Sequence, residues 1–111
     1  MDKLERYRQI VQNLLERCAA YSPAKEGVES QLLIDTQRDH YQWMRVGWNR
    51  SKRVYHIVMH LDIQDGNVWI QQNTTDTDLT QELLASGVAR EDIVLGLQPA
   101  YKREGAGLTA V

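Results

Sequence analysis

The stretch "VYHIVMHLDIQDGNVWIQQN", residues 54–73, constrains the fold more than any other part of the chain. It alternates apolar and polar residues, breaks once at Asp65-Gly66, and alternates again. A period of two marks a strand with one buried face. Asp-Gly tolerates the positive φ of a type I′ turn, so the two runs fold back as a hairpin. On alternation alone, Tyr55, Ile57, Met59, Leu61 and Ile63 share the buried face of the longer strand. His56, His60 and Asp62 then form a row on its wet face.

That row is the first place to look for chemistry. His60 and Asp62 stand about 7 Å apart along one strand, near enough to share an ion. His56 lies about 13 Å from His60 and cannot join them. Structural zinc takes four ligands and catalytic zinc three, so a third must come from a neighbouring strand. The chain holds no second H-x-H or H-x-D, and no C-x-x-C, to offer one. The row therefore reads as the wet side of a hairpin, with no metal and no cofactor.

The remaining elements follow from the same kind of argument. "MDKLERYRQIVQNLLERCAAY" is a helix, opened by Asp2 and Glu5 in a variant capping box. Leu4, Tyr7, Val11, Leu14 and Cys18 recur along its inner stripe, widened by Ile10 and Leu15. "SQLLIDT" and "HYQWMRVGWN" are strands, and "NRSK" is a polar turn leading into the hairpin. "DTDLTQELLASG" is a second helix, capped by Asp76 or Asp78 and ended by Gly87. "VAREDIVLGL" reads two ways after a helical turn over Arg90 to Asp92, with Ile93, Val94 and Leu95 as a short strand or as a packed segment. Residues 98–111, rich in glycine, read as a loose tail.

Helix, meander and helix make an α+β two-layer sandwich, with an antiparallel β-meander of three to four strands. At 111 residues, 42% of them hydrophobic, the chain suffices for one domain spanning 1–111. Both helices cover one sheet face, which leaves the other without cover in the monomer. Trp43, Trp48 and Trp69 all fall on strands. Tryptophan on a bare sheet face is interface material, and self-association is expected.

Other candidates for chemistry reduce to ordinary structure. Asp35 and Asp39 flank "TQR" at a strand end, where Asp favours turns. Cys18 sits on the apolar stripe of the first helix and reads as inert core rather than nucleophile. Arg45, Arg50, Lys52 and Arg53 form the one basic cluster, beside Trp48, a pattern that can grip single-stranded nucleic acid. A net charge of −2 argues against a dedicated duplex-DNA binder. No glycine-rich phosphate loop, G-x-S-x-G or H-E-x-x-H is present. With no nucleophile, base or cradle, a binding module outranks an enzyme, and no catalytic residue is assigned. No apolar run approaches the roughly 20 residues of a membrane span, and a cytoplasmic location is expected.

At "DTQRDHYQWMRVGW", "HLDIQDGNVWIQ" and "GVAREDIVLG" the sequence resembles the XisI family, the fdxN-element excision controlling factors of cyanobacteria. The resemblance runs in order from the first helix to about Gly96. It departs at Leu97 and in "EGAGLTAV". It implies a small accessory protein working with a XisH-type, nuclease-like partner. In heterocyst-forming species that pair assists a separate recombinase in site-specific DNA rearrangement. The partner surface expected on this basis comprises Trp48, Arg53, His60, Asp62, Trp69 and Gln71, with DNA contact indirect. Two alternatives stand behind it: a direct DNA-binding accessory using Arg45, Arg50, Lys52 and Arg53, and a metal-dependent enzyme at His60 and Asp62.

Overall fold

The computed structural model describes residues 2–105. Helix α1 (Lys3–Tyr21) begins where the Asp2 side chain accepts the Glu5 backbone N–H at 2.7 Å. Four strands follow, β1 (Val28–Asp35), β2 (His40–Asn49), β3 (Lys52–Gln64) and β4 (Asn67–Asn73), all antiparallel. Helix α2 (Leu79–Ser86) is capped by Asp78, and a 3₁₀ turn at Arg90–Asp92 leads into β5 (Ile93–Val94). Strand β5 pairs in parallel with β4, so the meander gains a fifth strand and the sheet runs β1-β2-β3-β4-β5. The expected α+β sandwich is thus the architecture, extended by one strand. The Asp65-Gly66 turn has φ of 54° and 79°, as a type I′ hairpin requires.

The loose tail expected from residue 98 instead begins with a short helix, α3 (Ala100–Gly105). Gln98 N–H bonds Leu95 C=O, and Lys102 N–H bonds Pro99 C=O, which supplies the local closure that composition did not signal. The rest of that expectation, residues 106–111, lies outside the described residues.

One core fills the space between helices and sheet. Tyr7, Val11, Leu14 and Leu15 from α1 and Leu79 and Leu83 from α2 meet Tyr41, Trp43, Met59, Leu61, Val68, Ile70 and Ile93. Truncating Leu14 or Leu83 to Ala would cost about 2–5 kcal/mol through lost contact and the cavity left behind. Leu4 stays partly exposed, so the stripe narrows at its N-terminal end. Cys18 is half-buried against this core, and burial pushes its thiol up, away from thiolate.

Alternation correctly places Met59, Leu61 and Ile63 in the core but misplaces Tyr55 and Ile57. Trp43 pairs with Met59 and Met44 with Ile57, so β3 carries one extra residue at Val58. This β-bulge reverses the phase of the strand. Before it, Tyr55 and Ile57 point away from the helices and His56 points towards them, opposite Arg45. The bulge is held by side chains: Gln72 Nε2 donates to Ile57 C=O at 2.7 Å, and Thr74 donates through its N–H and Oγ1 to Val58 C=O.

Two polar anchors fix α1 on the sheet. Asp39, at φ 60°, receives Arg8 through Nε at 2.8 Å and Nη2 at 3.2 Å, and the Tyr41 hydroxyl at 2.7 Å. Tyr7 donates to Asp92 at 2.6 Å, tying α1 to the turn before β5. Asp35 does the turn work expected of it, accepting the Gln37 and Arg38 backbone N–H groups. Asp39 is also a helix anchor, which turn chemistry alone does not predict.

Burial pushes the Asp39 carboxyl up, but hydrogen bonds from Arg8 and Tyr41 outweigh it and hold the group below the usual carboxylate range. Its contribution is therefore present above the unfolded value of about 3.9 and is lost as pH falls through the lower folded value. Arg8→Ala should destabilise the protein at neutral pH, because Asp39 then keeps only the Tyr41 hydroxyl as a side-chain donor. The loss should shrink below pH ~4, where Asp39 protonates in the unfolded chain. Urea melts of both proteins across the acid range check this.

Candidate functional site

The sheet face away from α1 and α2 is where the polar side chains converge. His40 opens β2 directly opposite Asp62 of β3, and Trp69 of β4 pairs with Asp62 on the other side. Paired residues share a face, so the three stand in one row across three strands. His60, two residues before Asp62, stands beside that row on the same face. A second bulge, at Gln71, lets β4 bring an additional amide to it, since His60 pairs with Gln72 and Leu61 with Ile70.

Asp62 is the hub. His40 Nδ1 and His60 Nε2 each lie 2.8 Å from the same carboxylate oxygen, Oδ1, and Gln71 Nε2 donates to Oδ2 at 3.2 Å. An ionised carboxylate only accepts, so both imidazole nitrogens carry their protons towards it. The Asp62 side chain is 14% exposed, His60 24% and His40 55%, so the hub is sheltered while its rim opens to solvent. Burial pushes the Asp62 carboxyl up, but hydrogen bonds from His40 and His60 and the nearby His60 charge outweigh it and hold it below the usual range. The hydrogen bond to Asp62, followed by its charge, raises His40 above the ordinary imidazole value.

This geometry corrects two expectations. His56 does not belong to the row, because the Val58 bulge turns it to the other face. The pair His60 and Asp62 does have a third partner, His40, whose ligand atom lies with theirs within 4.8 Å. His40 escaped because a search for two close ligands on one strand cannot see a single histidine on the next. Counting back from the β2–β3 turn sets His40 opposite Leu61, and only the extra residue at Val58 brings it opposite Asp62.

The basic cluster divides between faces. Arg45 donates to the Ser22 C=O at 2.7 Å and lies over the Trp43 ring, on the helix side. Arg53 is on the outer face, between the rings of Trp48 and Tyr55 at 5.3 and 5.7 Å. Arg50 and Lys52 flank the hairpin tip. Trp43 is wholly core, whereas Trp48 is 53% exposed and Tyr55 65%. Trp69 is mostly buried, because the segment after β5 covers the β4 margin. Leu97 N–H bonds Ile70 C=O there, and a Cβ on Gly96 would meet Trp69 Cε3 at 3.0 Å and overlap Gln71 Oε1. The outer face is thus open around Trp48, Arg53 and Tyr55 but roofed at its β4 edge.

The chain is a helix-backed, single-sheet α+β protein whose exposed sheet face combines an aromatic–arginine patch with a histidine–carboxylate hub. It belongs to the XisI family: the family model for XisI protein matches residues 1–110. A XisI-like protein from Anabaena variabilis ATCC 29413 is 47% identical, with a TM-score of 0.93 over 97% of this chain and 99% of that one. The fdxN element excision controlling factor XisI of the same organism is 35% identical, with a TM-score of 0.89 over 99% and 100%. No curated protein matches the sequence. No described helix is long and apolar enough to cross a membrane.

In Asp62→Asn protein kept free of divalent cations, the His40 imidazole should titrate lower, back towards the ordinary imidazole range. In the wild type it should titrate higher, so that its stabilising contribution is complete below the unfolded value and fades as pH rises through the folded one. Histidine side-chain NMR across the neutral range reads both.

Proposed function

We propose that this chain is a non-enzymatic accessory protein that controls site-specific DNA excision through a XisH-type, nuclease-like partner. The observation that carries the reading is the aromatic–arginine patch on the bare face, where Arg53 stacks between Trp48 and Tyr55. Tryptophan, tyrosine and arginine are the residues that dominate binding energy when an interface closes over them, because the rings bury large areas with few rotatable bonds and the planar guanidinium stacks and donates in a fixed geometry. Membership of a family with a solved relative named an excision controlling factor supplies the setting. The net charge of −2, and a basic cluster split between two faces, favour indirect over direct DNA contact.

Trp48→Ala and Arg53→Glu should each weaken binding of a XisH-type protein by at least about 10-fold, the loss expected of an interface anchor. Both should change stability by less than ~1 kcal/mol, because the side chains lie outside the core. Tyr21→Ala, on an exposed residue at the end of α1, should leave affinity unchanged. Affinity measured by biolayer interferometry, paired with thermal melts, separates these outcomes. Wild-type affinity in both patch variants would refute the reading.

A further inference from the structure

We propose that His40, His60 and Asp62 form a binding site for a divalent transition-metal ion of the Zn²⁺ class. Two imidazole nitrogens, from different strands, converge on one carboxylate oxygen at 2.8 Å each. All three candidate ligand atoms lie within 4.8 Å of one another. Two histidines and one carboxylate are a ligand set that Zn²⁺ and non-haem iron accept, with positions left open for water or substrate.

The present spacing is that of hydrogen bonds. Tetrahedral Zn²⁺ places its ligands about 3.3 Å apart, given bonds near 2.0–2.1 Å. Seating the ion therefore requires the three atoms to spread by roughly half an ångström while each histidine moves its proton to the far ring nitrogen. His40, more than half exposed, has room to move, whereas Asp62 is held. Gln71 donates to the other Asp62 oxygen, Oδ2, leaving Oδ1 to face the ion. That is the outer-shell arrangement which orients a metal-bound carboxylate. The two histidines and Asp62 all sit on paired strands, so their backbones are fixed before any ion arrives.

The inference stands apart from the partner reading, since it concerns the hub rather than the Trp48–Arg53–Tyr55 patch; either can fail alone.

The test is calorimetric titration of Zn²⁺ into the full chain without an affinity tag, with Co²⁺ absorption as a second readout. One ion per chain is expected, with Co²⁺ giving the intense visible bands of a low-coordination nitrogen–oxygen site. His40→Ala, His60→Ala and Asp62→Ala should each weaken binding by more than about 100-fold, beyond the loss that outer-shell changes cause. Gln71→Leu should cost between about 10- and 100-fold. His56→Ala should bind as the wild type does, and circular dichroism reports whether each variant is folded. Absence of binding by the wild type would overturn the proposal. So would uptake that survives in the folded His40→Ala/His60→Ala double variant, or that disappears in His56→Ala.

Discussion

The register of β3 against β2 is the constraint on which the rest of this structure depends. A single extra residue at Val58 reverses the face of every side chain before it, and a shift of one residue in a strand has no partial form. Met59, Leu61 and Ile63 reach the core only because the pairing after the bulge sets Trp43 against Met59 and Tyr41 against Leu61. The same pairing sets His40 against Asp62. Core and hub are therefore two sides of one registration. The extra residue leaves no backbone acceptor stranded, because Gln72 and Thr74 serve the Ile57 and Val58 carbonyls. A buried acceptor without such a donor would cost about 1–3 kcal/mol.

The two faces divide the work. On the helix side lie the apolar core and the anchors Arg8–Asp39–Tyr41 and Tyr7–Asp92, which hold α1 and the turn before β5 to the sheet. On the far side, side chains that contribute little to packing are brought together instead: an exposed aromatic pair around Arg53, and a carboxylate shared by two histidines. Asp62 is the polar group most committed to that arrangement, since His40, His60 and Gln71 all bond to its side chain. Gly96 sets the limit of the face, because a side chain there would crowd Trp69 and push the Gln71 amide aside.

Much of this was legible in the sequence where the signal is local. The Asp2 and Asp78 caps, the Asp65-Gly66 turn and the turn at Arg90–Asp92 each depend on a few neighbouring residues, and each stands where the local chemistry puts it. Bulges were not legible, because an inserted residue such as Val58 looks like any other apolar residue in a strand. That one omission misplaced Tyr55, Ile57 and His56 together. His40 was hidden for a related reason: its partner lies 22 residues away and is found only through strand pairing. The fifth strand was half visible, since Ile93 and Val94 read equally as a short strand or a packed segment while their parallel pairing with β4 is a tertiary fact.

The central claim is that the helix side stabilises this protein and the far face of the sheet does its work. Hydroxyl-radical footprinting of the chain, alone and bound to a XisH-type protein, tests it most directly. The account predicts protection at Trp48 and Tyr55, with Leu4 and Tyr21 labelled equally in both states. Protection of Tyr21 and Leu4 with Trp48 and Tyr55 left open would place the working surface on the helices and contradict it.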